Sequence, residues 1–124
     1  MRYKVFLDDV LNPEDVVEKM VNSSYSEKYQ DSNWFVARSY QDFINIVTKN
    51  YFDEKVLEYV SFGHDLSEEN IDEKTGYDCA VWLTAFAVEL KQSFPDFDIH
   101  SRNAEGREKI MNYINKFCDG YYRY

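Results

Sequence analysis

Val60-Ser61-Phe62-Gly63-His64-Asp65-Leu66 sets the frame for the whole chain. Val60 to Phe62 read as the end of a buried strand, and a small residue, a histidine and a carboxylate follow at once. That succession fits the point where a parallel strand leaves its sheet. The chain has only two histidines, and the second closes another apolar strand in Phe97-Asp98-Ile99-His100-Ser101. A third strand, Tyr3-Lys4-Val5-Phe6-Leu7, runs into the acidic pair Asp8-Asp9. Three strands thus deliver ionisable groups at one end, and open α/β sheets bind ligands outside the carboxyl ends of their strands.

The segments between these strands carry helix signals. Asn12-Pro13-Glu14-Asp15 predicts a helix start, with Asn12 as cap, Pro13 in the first turn and an apolar face of Val16, Val17, Met20 and Val21. Residues 22–32 are polar and read as a surface loop or a frayed helix end. Trp34 to Ala37 form the second strand, leaving Arg38 at its carboxyl end. Ser39 and Asp42 form a capping box for a helix facing inward through Tyr40, Phe43, Ile44 and Val47, with 50–55 a polar connection. Val56 to Phe62 make the third strand, and an acidic loop from Leu66 to Lys74 reads equally as a lid or as plain surface. Thr75 and Asp78 cap a helix, Cys79 to about Gln92, that is apolar nearly all round at its start. Phe97 to Ile99 form the fourth strand. Asn103 to Gly106 open a last helix facing inward through Ile110, Met111, Ile114 and Phe117, with Gly120 as its stop.

The order β-α-β-α-β-α-β-α predicts one α/β domain over residues 1–124, with its core at about 3–117 and a short tail at 118–124. About four parallel strands in the flavodoxin-like order 2-1-3-4, with helices on both faces, would set Asp8, Asp9, His64 and Asp65 together at the switch point and His100 next door.

The totals narrow the function. A net charge of −9 repels a phosphate backbone at long range and argues against a broad nucleic-acid groove, though not against a local phosphate site. Cys79 and Cys118 stand far apart without metal-ligand spacing, which fits reduced thiols in a cytoplasm. The longest apolar run, Cys79 to Val88, is far short of the roughly 20 residues that span a bilayer.

Lys4-Val5-Phe6-Leu7-Asp8-Asp9 with Asn12-Pro13, Arg38-Ser39-Tyr40, Ser61-Phe62-Gly63-His64-Asp65-Leu66, Gly76-Tyr77-Asp78, and His100-Ser101-Arg102-Asn103 with Gly106 together resemble the cyclic-phosphate processing receiver domain family. The resemblance implies a shortened receiver-like fold and a role in sensing or hydrolysing cyclic phosphates, for instance at RNA ends in RNA repair. It implies functional positions at Asp8, Asp9, His64, Asp65 and His100. This chain departs from the pattern at Gly63, where the family usually carries an acidic residue before the His-Asp pair. Glycine rules out aspartyl phosphorylation at that position and removes one candidate metal ligand.

Hydrolysis of a cyclic phosphodiester needs a base for water, an acid for the leaving alkoxide and charge stabilisation between them. An imidazole titrating near pH 6.5 suits either proton role, so His64 and His100 are the expected pair, with Asp65 orienting an imidazole through a turn. The plain alternative is two structural histidines satisfying strand ends. Asp8, Asp9 and Asp65 would bind Mg²⁺ on the receiver pattern, a metal that the resemblance alone suggests; otherwise the acidic pair is a solvated turn. Ser101, Asn103 and Gly106 at the start of the last helix form a candidate phosphate cradle, with Arg38 or Arg102 supplying charge, against ordinary capping by Asn103. The expected ligand is a cyclic nucleotide or an RNA-end phosphate. Two rival functions are a non-catalytic sensor of the same ligands and an acidic regulator docking on a protein partner.

Overall fold

A computed structural model describes residues 1–15, 34–64, 74–101 and 103–121, with the backbone alone for 118–121. Its elements are β1 (Arg2–Leu7), β2 (Trp34–Ala37), α1 (Tyr40–Phe52), β3 (Val56–Phe62), α2 (Gly76–Glu89), β4 (Asp96–Ile99) and α3 (Ala104–Tyr121). The strands form one sheet in the order β2-β1-β3-β4, and every pair is parallel. This is the predicted receiver-like topology.

Alternation along the strands divides the sheet into two faces. Val5, Leu7, Ala37, Val60, Phe62 and Ile99 share a core with Phe43 and Val47 of α1, Cys79, Ala80 and Leu83 of α2, and Ile110 and Ile114 of α3. The opposite face carries Phe6, packed against Leu11, Trp34 and Val36. Fully burying a side chain the size of Phe43 contributes roughly 1.5–3 kcal/mol. The Ser39 cap, whose hydroxyl accepts from the Asp42 N–H at 3.1 Å, is worth about 1 kcal/mol. The apolar face of α1 therefore holds it more firmly than its cap does.

The helix signals mostly mark true starts. The Asn12 N–H donates to the Asp15 carboxylate at 2.7 Å, and residues 13–15 are helical, but the Asn12 side chain is not the predicted cap: its oxygen accepts from Arg38, and the Asp15 N–H donates to the Asn12 backbone carbonyl at 3.0 Å. The predicted apolar face at 16–21 lies outside the described residues. At α2, the Asp78 carboxylate accepts from the Thr75 N–H at 2.8 Å and from its hydroxyl at 3.2 Å. That box starts the helix at Gly76, ahead of the predicted Cys79.

The ends were read less well. Helix α1 runs to Phe52, through the start of the predicted polar connection, and α2 stops at Glu89 rather than near Gln92. Left-handed residues follow each end, Glu54 at φ 62° and Lys91 at φ 54°. Neither is the glycine that normally marks such a stop, so no signal was written there. Gly120 does not end α3, which runs through Tyr121. Met111 is 40 % exposed, not inward: Ile110 and Ile114 define the buried stripe, and Met111 sits one residue off it.

No described helix is long and apolar enough to cross a membrane.

Candidate active site

Register places the site. Leu7 pairs with Phe62 and Phe62 with Ile99, so the next residues, Asp8, Gly63 and His100, emerge side by side at the carboxyl edge. Backbone bonds continue the ladder one step further: the Gly63 N–H donates to Leu7 O at 2.7 Å and the His100 N–H to Phe62 O at 3.0 Å.

His100 is held on every side. Its Nε2 lies 2.8 Å from Asp8 Oδ2 and its Nδ1 2.7 Å from Ser61 Oγ. Its ring stacks on Phe6 at 4.4 Å with the planes 7° apart, and its side chain is 2 % exposed. The other Asp8 oxygen accepts the N–H groups of Val10 at 2.9 Å and Leu11 at 2.8 Å. Burial pushes the Asp8 carboxyl up, but the His100 bond, the Leu11 and Val10 N–H groups and the His100 charge together outweigh it and leave it below its ordinary value. Asp8 is thus ionised at neutral pH. A carboxylate only accepts, so His100 Nε2 carries the proton, and in the neutral ring Nδ1 accepts from the Ser61 hydroxyl.

His64 sits in a different setting. It is half-buried, and its Nδ1 lies 3.4 Å from Asn103 Nδ2. Three of the chain's four glycines surround this point. A Cβ on Gly76 would stand 1.8 Å from Gly63 O and 3.0 Å from His64 Cα, and a Cβ on Gly106 would stand 2.3 Å from His64 Cγ. The starts of α2 and α3 therefore press on His64 and the backbone before it as only glycine allows. None of these glycines has a positive φ, so close approach, not conformation, is what they supply. Gly63 serves the neighbouring pair in the same way: a Cβ there would lie 2.6 Å from Leu7 O, 3.1 Å from Asp8 Oδ2 and 3.2 Å from His100 Nε2.

The remaining candidates fall into place around these two rings. The Asn103 side chain caps α3, its Oδ1 accepting the Gly106 N–H at 2.9 Å, while Ser101 Oγ accepts the Asn103 N–H at 3.1 Å. The space that Gly106 leaves is filled by the His64 ring. Arg38 braces the loop after β1, its guanidinium donating to Leu11 O at 2.7 Å, to Asp8 O at 3.3 Å and to the Asn12 side chain. Asp9 adjoins Asp8 and is half-buried; Asp65 and Arg102 lie outside the described residues. Among the described residues no group of three or more His, Cys, Asp or Glu comes together to hold a metal ion. Three N–H donors already occupy the two Asp8 oxygens, two on Oδ1 and one on Oδ2, which leaves about one lone-pair position, on Oδ2, for a cation.

Ser61 is the participant that sequence reasoning missed. A signal was present: it is the polar residue in an apolar strand end, and alternation puts it on the same face as position 63. Cys79 lies in the core, its thiol pushed up by burial and then by Asp78, which suits packing and not nucleophilic chemistry. A cavity of about 660 Å³ opens at the opposite edge of the sheet, lined by Tyr3, Tyr51, Phe86 and Phe94 among others, and contains none of the candidate residues.

A search of curated proteins gave no match, and neither did a search of solved structures. A family model described as Cyclic-phosphate processing Receiver domain matches residues 3–116, which takes in β1 from its second residue, all of β2, β3 and β4, and both histidines. The chain therefore belongs to the cyclic-phosphate processing receiver domain family.

Proposed function

We propose that this domain opens a cyclic phosphodiester by hydrolysis at the carboxyl edge of its sheet, with His64 meeting the phosphate. The observation that carries the reading is the half-buried His64 ring lying on the first turn of α3, one residue past Gly63, where the buried Asp8–His100 pair meets the chain. Helix starts favour anions through their free N–H groups and dipole, so a phosphate and an imidazole would share this corner. In the reaction a water oxygen bonds to phosphorus, one phosphorus–oxygen ester bond breaks, and the freed sugar oxygen ends as a hydroxyl. His64 supplies hydrogen bonding to the phosphoryl or leaving oxygen. For His100 to take a proton from water, Nδ1, the ring nitrogen without a proton, must leave Ser61. Such an exchange is compatible with a site that tightens only around substrate.

The test is hydrolysis of a panel of 2′,3′-cyclic and 3′,5′-cyclic nucleotides and short RNAs ending in a cyclic phosphate, run in Mg²⁺ and in EDTA. Turnover that resists EDTA and falls by about 10²-fold or more in His64→Ala supports the reading. Turnover lost in EDTA would assign Asp8, Asp9 and Asp65 to a metal instead. Turnover unaffected by His64→Ala rules the role of His64 out.

The engagement of both His100 ring nitrogens favours a second reading, a sensor that binds the cyclic phosphate without cleaving it. Calorimetric binding of an intact cyclic nucleotide, with no product over hours, would select it.

A further inference from the structure

The cap of α3 determines which nitrogen of His64 carries its proton. The side-chain oxygen and nitrogen of an asparagine are told apart by their partners. Asn103 Oδ1 accepts the Gly106 N–H at 2.9 Å, and an N–H cannot be met by an NH₂ group, so the cap fixes the amide with Nδ2 on its other side. That Nδ2 lies 3.4 Å from His64 Nδ1 and can only donate. His64 Nδ1 must then present its lone pair, and in the neutral ring the proton sits on Nε2. The ring lies against Gly106, with Cγ, Cδ2 and Nδ1 at 2.3–2.6 Å from where a Cβ would stand.

We propose that Asn103 is a positioning residue: by capping α3 through Oδ1 it holds His64 in the Nε2–H tautomer, a neutral hydrogen-bond donor toward a phosphoryl oxygen. The tautomer follows from the cap alone; its use toward a phosphate rests on the proposed function above. A neutral imidazole donor beside a helix start stabilises developing negative charge without first having to be protonated. The Asn103 side chain then serves the phosphate through His64 and not by touching it.

The experiment is a long-range ¹H–¹⁵N correlation spectrum of the imidazoles in the full chain, above the pH where they are protonated. With two histidines in the sequence, His64→Gln identifies the signals by subtraction. Wild type should show His64 with Nε2 as the protonated, pyrrole-like nitrogen and Nδ1 as the bare one. Asn103→Asp keeps an equally good cap but offers the imidazole a carboxylate oxygen, so the proton should move to Nδ1. Asn103→Ala should give a mixture of tautomers. Wild-type His64 protonated on Nδ1, or a tautomer unchanged in Asn103→Asp, would overturn the proposal, and the wild-type spectrum decides even if a variant fails to fold. The readout is separate from activity. A tautomer that switches while no cyclic phosphate is turned over or bound would leave the inference standing and remove the proposed function.

Discussion

The ends of β3 and β4 each carry one of the two histidines, and they hold it by opposite means. His100 is fixed by chemistry: a carboxylate on one nitrogen, a hydroxyl on the other and a phenyl face against the ring. His64 is fixed by space, with helix starts brought to van der Waals contact through Gly76 and Gly106. The first arrangement spends every polar contact of the ring inside the protein. The second confines the ring while leaving it half-buried. One strand end therefore locks its ring through polar contacts, and the other confines it through close backbone approach.

Substitutions can break this contrast. The largest effect is expected from Gly76→Ala. Its Cβ would meet the Gly63 carbonyl at 1.8 Å, and because both partners are backbone, neither can step aside. A loss of roughly 3 kcal/mol or more in urea unfolding is expected, at the upper end of overpacking costs. His100→Ala comes next. It leaves the ionised Asp8 carboxylate buried without its His100 partner and removes the Ser61–His100 bond, at a cost of roughly 3 kcal/mol in the same measurement. A loss under about 1 kcal/mol would mean that His100 is not the structural member of the two.

Gly106→Ala should cost roughly 1–3 kcal/mol, because its Cβ meets a side-chain ring that can be displaced. Its clearer signature would be a shift of the His64 imidazole signals with those of His100 unmoved.

Asp8→Asn sharpens the same contrast through pH. The folded carboxyl lies below its ordinary value. Asp8 thus contributes stability that is fully present above the unfolded value of about 3.9 and is lost as pH falls through the lower folded value. Urea midpoints followed from pH 5 toward pH 2 should fall less steeply in Asp8→Asn than in wild type. Equal slopes would mean that the Asp8–His100 pair does not favour the ionised carboxylate. The smallest effect on stability is expected for His64→Ala, within about 1 kcal/mol of wild type, since the ring removed is only half-buried and meets Asn103 at a long 3.4 Å.

Much of the fold was legible because it is written in local patterns. The apolar strand ends, the Ser39 and Thr75 caps and the β-α alternation led to the four-stranded order 2-1-3-4, and the sheet has that order. The ends of α1 at Phe52 and α2 at Glu89 were not legible, because the left-handed residues that follow them, Glu54 and Lys91, give no such signal. The candidate site was legible as a location and only partly as a set of roles. Asp8, His64, His100 and Asn103 all reach the carboxyl edge, but Arg38 was read as a source of charge for a ligand while its guanidinium braces the loop after β1. Gly106 was read as room for a phosphate, and the His64 ring takes that room.

The sequence by itself determined which residues arrive at the edge, since strand alternation and the ends of apolar runs are one-dimensional properties. Only the tertiary structure decided what each does there. Whether an imidazole nitrogen is spent or offered depends on atoms within about 3 Å of it. For His100 those atoms come from Ser61 and Asp8, 39 and 92 residues away along the chain, and the Asn103 amide facing His64 at 3.4 Å is likewise 39 residues distant.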